Sequence, residues 1–375
     1  MKSRVSIVRC EDYSPESVKA AIKKTFENLG GLESFVKPNQ KVLVKPNLLV
    51  AKDPGRAITT HPAIVQSVVE EVKKLKGIPI IGDSPGGAER GVKRVWENTG
   101  MWEVGEKTGA ELVKFEGGGI CKAIASNSKV YYISKHAVQA DAVINLAKMK
   151  THVLTLFTGA IKNMFGMIPG VRKAEYHRQL PHPKEFSQML VDIFSLVKPK
   201  LSIMDAVVCM DGDGPSSGKP KYLGLILASA DAVALDKVCS RIFGFKEDEI
   251  ETTNIAEERG LGTADFSKIE LVGEKLSDIA LPKFDLPSNR FLKMVPKFMV
   301  KLLEPYVWVR PNVKEELCTN CNLCVENCPM KVIQKDSKRP NFNYAECINC
   351  LCCHELCPEN AVYLEKSWLA RKFIH

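Results

Sequence analysis

A chain of 375 residues, 45% hydrophobic and 26% charged, is long enough for two or three domains with their own cores and too apolar to be disordered. No apolar run approaches the roughly 20 residues that cross a bilayer, and the opening MKSRVSIVRCEDYSPES reads as a strand entering a helix, not a targeting segment. An integral membrane protein is therefore not expected. The net charge of +9 is spread along the chain without a nucleic-acid-binding motif, so an acidic protein or an anionic small molecule is the partner that charge favours, in a reducing cytoplasm.

Residues 1–280 alternate strand and helix signals. RVSIVRC is a strand, and SPESVKAAIKKTFENLGG a helix with Ser14 as cap, Pro15 at its first position and glycine at its end. KVLVKPNLL, then HPAIVQSVVEEVKKLKG, then IPIIGDSPGG read as strand, helix, strand. A helix follows over Val92–Thr108, with strands near Leu112, Ala123 and Val130. DAVINLAKMK is a further strand, followed by helical stretches over Thr155–Met167 and Phe186–Val197. LSIMDAVVCM and YLGLILAS are strands, and AVALDKVCSRIFG a helix. The alternation predicts an α/β core: a mostly parallel sheet covered by helices.

Residues 281–313 carry five prolines and lysines interleaved with apolar side chains. A membrane-surface helix would share that composition, but Pro296 interrupts it, and the preferred reading is a linker that docks the cysteine-rich C-terminal segment onto the core. A short tail, 366–375, closes the chain.

Of thirteen cysteines, nine fall between 318 and 357. CTNCNLCVENCP and CINCLCCHELCP both fit C-x2-C-x2-C-x3-C-P, the run of bacterial ferredoxins that bind two [4Fe–4S] clusters. Soft thiolates suit iron, and in that template the fourth cysteine of each run serves the other cluster. Carried onto this chain, Cys318, Cys321, Cys324 and Cys357 hold one cluster, and Cys347, Cys350, Cys353 and Cys328 the second, in a small α+β ferredoxin-like domain over 314–365. Zinc would favour C-x2-C pairs without the trailing Cys-Pro, and a disulfide framework needs an oxidising context. Cys352 is left outside the ligand set. Cys10, Cys121, Cys209 and Cys239 read as buried thiols.

Ligands of open α/β sheets bind beyond the carboxyl ends of the strands, and unusual polar residues gather there. Lys45 and Asn47 end the second strand, Asp83 and Ser84 the third, and Lys148, Lys150 and His152 the run INLAKMKTH. Asp205 lies within its own strand, Asp211 and Asp213 follow in DGDGPSSG, and His61 opens the second helix. Each has a bland alternative: Asp83-Ser84 as a helix cap, DGDGPSSG as a turn without the ligand spacing of a calcium loop, and a lone histidine as a satisfied core residue. The segment 148–182 is densest, adding Lys162, Asn163, Tyr176, His177 and Arg178, with Gly159 and Gly166 allowing the backbone close to something bound. Lysines with histidines and an amide suit a carboxylate, phosphate or enolate-like oxyanion. No P-loop or G-x-G-x-x-G follows a strand, so neither ATP nor a nicotinamide dinucleotide is indicated.

As a set, VLVKPNLL, TTHP, GDSPGG, KMKTH with TGAIKNMFG, and DGDGPSSGKP followed by SADAVALD resemble domain-of-unknown-function family 362, whose members often end in a ferredoxin module. The resemblance spans roughly residues 40–245 and implies no established substrate or catalytic residues. From the residues themselves the leading expectation is an iron–sulfur redox enzyme or redox-assisting protein. Electrons from a soluble donor protein pass through the clusters to an anionic substrate, or to an organic cofactor such as a flavin, in the crevice. Lys150, His152, Lys162 and Asn163 would bind the anion and donate protons, Asp83 and Lys45 would orient it, and Asn47, His61, Ser84, Lys148 and His177 would line its site. The alternatives are a non-catalytic carrier or maturation partner whose core recognises another protein, and structural clusters beside a non-redox core.

Overall fold

The computed structural model describes residues 2–86, 92–170, 172–180, 182–287 and 308–373. Branched apolar side chains are buried along β1 (Ser3–Arg9), β2 (Lys41–Lys45) and β3 (Ile78–Asp83), as strands covered on both faces require. Between them lie α1 (Pro15–Asn28) and α2 (Pro62–Lys74), each with proline in its first turn and a side-chain cap: Ser14 accepts from Ser17 N–H, and His61 Nδ1 from Ala63 N–H.

The remaining strands of the core are β4 (Glu111–Lys114), β5 (Ile120–Ile124), β6 (Val130–Ser134), β7 (Ala142–His152), β8 (Leu156–Thr158), β9 (Leu201–Asp211), β10 (Lys219–Ser229) and β11 (Ile269–Gly273). The main sheet runs β11–β1–β10–β9–β7–β2–β3–β4, with β8 folded back on β7. Along that path only β10 is reversed: it pairs antiparallel with β1 and β9, while every other pairing is parallel. The glycine-rich DGDGPSSG is thus the turn of the β9–β10 hairpin. The strands near Ala123 and Val130 form a separate hairpin, β5–β6. One apolar layer joins α1 and α2 to the sheet. The other joins the helices Pro183–Leu196, Ala232–Phe243 and Glu251–Glu258 to its opposite face.

Two predicted helices differ. Val92–Thr108 is split into Val92–Asn98 and Met101–Thr108 by Gly100, whose φ of +73° no helix interior tolerates. The stretch 155–167 starts as β8 and becomes helical only at Ala160–Asn163, followed by a 3₁₀ turn, Met164–Met167. The docking linker assigned to 281–313 ends earlier than expected. Val309–Val313 forms a strand that pairs antiparallel with Val362–Lys366 inside the C-terminal module. Phe284 packs edge-on against Phe243, and residues 288–307 lie outside the described residues.

The two cysteine runs fold alike. Left-handed backbone occurs at Asn320, Asn322 and Lys331, and again at Asn349, Leu351 and Asn360, each 29 residues later. Each run carries one helical turn, Leu323–Glu326 and Cys352–Glu355, so the sequence repeat is a structural repeat.

Candidate functional site

The second repeat docks on the carboxyl ends of the core strands. The His354 carbonyl accepts from Ser216 Oγ at 3.4 Å, and Leu356 packs so tightly on Gly86 that a Cβ there would lie 2.2 Å from its Cδ2. Three polar constellations lie among these strands, and the third reaches this turn through Glu355.

In the first, the buried Lys45 ammonium lies 2.8 Å from Asp83 Oδ1, while Asp83 Oδ2 accepts from Leu48 N–H at 2.8 Å. Burial lowers the Lys45 pKa, and Asp83 opposes that shift. A Cβ on Gly166 would stand 2.0 Å from Asp83 Oδ1 and 2.7 Å from Lys45 Nζ, so glycine is required here by the protein's own ion pair. Gly159 is required likewise: its Cβ would lie 2.2 Å from Asp236 Oδ1, and that carboxylate accepts from the N–H groups of Ala160 and Ile161 at 2.6 and 2.9 Å. The expectation that these two glycines approach a ligand is therefore corrected. Ser84, expected to bind substrate, is also occupied: its hydroxyl bonds to Glu116 and Lys173 and accepts from Gly170 N–H at 3.1 Å. Burial brings Lys173 down to about 8.

The second constellation centres on Asp205. Lys148 Nζ donates to its Oδ2 at 2.9 Å, Tyr13 OH to its Oδ1 at 2.8 Å, and the His61 N–H to its Oδ2 at 2.9 Å. The His61 ring stacks on Tyr13 with centroids 3.6 Å apart, and burial brings its pKa to about 4. The ammonium is spent inside this cluster, and the ring is held by its stacking on Tyr13 and by its Nδ1, which caps the helix at Ala63, so Lys148 and His61 brace the scaffold.

The third constellation has unspent capacity. Pairing of β7 with β9 slips between Lys148 and Lys150, so the two lysines meet different partners. Lys150 Nζ donates to Ile58 O at 2.6 Å and Asn47 Oδ1 at 3.1 Å, and among the described residues no carboxylate pairs with it. Its pKa lies well below the usual lysine value, through burial first and the nearby Lys162 second. Asn47 continues the chain to Asn163 (2.9 Å), and Asn163 to Asn145 (2.7 Å). His152 Nδ1 accepts from the N–H groups of Leu154 and Thr155 at 3.0 and 3.3 Å, which leaves the proton on Nε2. That Nε2 lies 3.3 Å from Glu355 Oε1 but outside hydrogen-bonding geometry. His177 stacks on Phe186 at 4.3 Å, with Nδ1 buried and unpartnered. Burial holds both rings at about 4. Lys162 acts on Glu355 electrostatically, and burial lowers its pKa too. Glu355 is held well below the usual carboxylate range by His152, His177 and Lys162, against its own burial.

The predicted residues thus divide. Lys150, His152, Lys162, His177, Asn47 and Asn163 converge, whereas Lys45–Asp83 and Lys148–Asp205 brace the strand ends. Tyr176 packs on Tyr131, and Arg178 pairs with Glu175 on the surface, both outside the niche. Sequence reasoning missed Glu355, Tyr13 and Asp236. Tyr13 follows the end of β1, where the strand-end rule applies equally; Glu355 had no signal, because its partners lie about 200 residues away in another module.

In the C-terminal module Cys318, Cys321, Cys324 and Cys357 line one cavity. Cys328, Cys347, Cys350 and Cys353 line another, and Cys352 lines it too. The fourth cysteine of each run therefore lies in the other run's cavity, an all-sulfur set that fits a cubane. Cys352 is buried. Cys10, Cys209 and Cys239 are buried and Cys121 is half-buried. Among the described residues no helix is long and apolar enough to cross a membrane.

Residues 310–358 match the 4Fe-4S dicluster domain, so the cofactors are [4Fe–4S] clusters and the chain is an iron–sulfur protein. A thylakoid-associated protein of Synechocystis sp. is 38% identical over 263 residues, covering 70% of this chain and 81% of that one. The lactate racemase apoprotein from Thermoanaerobacterium thermosaccharolyticum superposes with a TM-score of 0.42 at 13% identity, over 67% of this chain and 58% of that one. A Thermotoga maritima protein does so with a TM-score of 0.39 at 14% identity, over 62% and 60%. The chain thus spans less than two thirds of either solved structure. Residues 42–241 match the model described as Domain of unknown function (DUF362), and the chain belongs to that family.

Proposed function

We propose that the protein is an oxidoreductase in which electrons reach an anionic substrate or cofactor at the Lys150–His152–Lys162–His177 niche from the docked ferredoxin module. The observation that carries this reading is the placement of the turn 352–357, which holds Cys353 and Cys357, with its Glu355 carboxylate 3.3 Å from His152 Nε2. When bound, the clusters held by Cys318, Cys321, Cys324 and Cys357 and by Cys347, Cys350, Cys353 and Cys328 supply single electrons. The core residues bind and protonate. Lys162 and Lys150 attract the anion, Asn47 and Asn163 fix Lys150, and the His152 Nε2–H is aimed at the site by two backbone donors. Cys321 is exposed, which leaves the outer edge of the first cavity open to a soluble donor protein.

A carrier that merely recognises another protein has no use for two buried histidine nitrogens, His152 Nε2 and His177 Nδ1, without hydrogen-bond partners beside an unpaired, half-buried Lys162. The test is anaerobic: the chain is reduced, freed of reductant and mixed separately with the small-anion and the protein fractions of a cell extract. Reoxidation of the clusters by the small-anion fraction, slowed at least about tenfold in Lys162→Met, is the expected result. Reoxidation by the protein fraction alone favours the carrier, and clusters that cannot be reduced favour a structural role.

A further inference from the structure

We propose that the niche of Lys150, His152, Lys162 and His177 is a binding site for a carboxylate or phosphate group, and that Glu355 is its exchangeable occupant. This rests on the reading that the crevice takes an anion, and it names the group that is recognised and what must leave. Three observations support it. First, the niche has more polar capacity than Glu355 uses: His152 Nε2 and His177 Nδ1 are buried without a hydrogen-bond partner, and beside them the half-buried Lys162 makes no hydrogen bond or ion pair among the described residues. Natural interiors leave few such groups unpaired. Second, the contact is loose. Charge-assisted hydrogen bonds close to about 2.7–2.9 Å, whereas Glu355 Oε1 stays 3.3 Å from His152 Nε2 and off its axis. Lys148–Asp205, with its hydrogen bond formed at 2.9 Å, shows what a permanent buried pair looks like in this protein.

Third, the occupant comes from another module. Glu355 ends a four-residue helical turn whose other described polar tie to the core is the 3.4 Å bond from Ser216 Oγ to the His354 carbonyl. A diffusible anion with three or four acceptor oxygens, or a carboxylate free to come closer, satisfies His152, His177 and Lys162 together. Its entry moves Glu355 and with it the turn that carries Cys353 and Cys357.

The test uses the full-length chain, purified anaerobically with its clusters, and calorimetric titration with acetate and with inorganic phosphate. Glu355→Gln is expected to bind one of the two at least about tenfold more tightly than the unaltered chain. Adding Lys162→Met is expected to abolish that gain. A gain for acetate alone assigns a carboxylate ligand, and a gain for phosphate alone a phosphate. Equal affinity in Glu355→Gln and the unaltered chain overturns the proposal, as does a gain that survives Lys162→Met. If Glu355→Gln loses its iron, Glu355→Asp keeps the charge one methylene short of the niche; tighter binding than the unaltered chain is again expected, and no gain is again fatal. These outcomes are independent of reoxidation: anion binding without electron transfer would sink the redox function and spare the exchange.

Discussion

Replacing Asp205 with alanine removes the acceptor of three donors at once, the Lys148 ammonium, the Tyr13 hydroxyl and the His61 N–H, at 2.9, 2.8 and 2.9 Å. Lys148 and Asp205 are essentially solvent-free, with side-chain exposures of 1% and 0%, so the variant leaves a buried charge alone. Breaking such a pair from one side costs about 3–5 kcal/mol, a third or more of the stability of many domains. At about 2–4 °C per kcal/mol, the melting temperature should fall by roughly 6–20 °C, read by circular dichroism under anaerobic conditions. Replacing both partners, Asp205→Leu with Lys148→Met, removes the orphaned charge and should recover half or more of the loss. What persists is the unpaired His61 N–H and Tyr13 hydroxyl, about 1–3 kcal/mol. A single variant within about 1 kcal/mol of the unaltered chain, or a double variant no better than the single, would refute the assignment of this cluster as scaffold.

Gly166→Ala should destabilise by about 1–3 kcal/mol and open the Lys45–Asp83 pair, because its Cβ would lie 2.0 Å from Asp83 Oδ1; chemical denaturation measures the loss. His177, at about 4 in the fold against 6.5 free, binds fewer protons folded than unfolded between those values. Its contribution is therefore complete above about pH 6.5 and is lost as pH falls toward 4, by up to about 3 kcal/mol. His177→Phe, stacked on Phe186, should show a flatter stability profile across that window. Cys353→Ser should cut the iron content from about eight to about four atoms per chain, whereas Cys352→Ser should keep about eight, as metal analysis would show.

Much of the fold is legible because the sequence rules act locally. β1–β3 announce themselves as buried apolar runs, Ser14-Pro15 and His61-Pro62 open helices, and the strand-end rule picks out Lys45, Asp83, Lys148, Lys150 and His152. The cysteine spacing also anticipates the crossing of Cys328 and Cys357 into each other's cavities. What stays hidden is long-range. Whether a strand-end lysine meets a carboxylate, as Lys148 meets Asp205, or only neutral acceptors, as Lys150 meets Ile58 O and Asn47 Oδ1, depends on a slip in the pairing of β7 with β9 that leaves no mark in composition. Gly159 and Gly166 read as ligand contacts because close backbone approach has one signature whether the neighbour is a ligand or the protein's own carboxylate. Glu355 sits in an ordinary spacer, HEL, and only the docking of the module gives it a role.

If the clusters and the niche form one unit, anaerobic redox titration reads their coupling without knowledge of the substrate. Glu355 contributes a negative charge two residues from both Cys353 and Cys357. Glu355→Gln should therefore raise a cluster potential by roughly tens of millivolts. Saturating that variant with whichever of acetate or phosphate it binds should bring the potential back toward its original value, since bound anion and potential are reciprocally linked. Potentials that are the same in the unaltered chain, in the variant and in the variant with anion would contradict the account, leaving the niche and the clusters as neighbours without a common task.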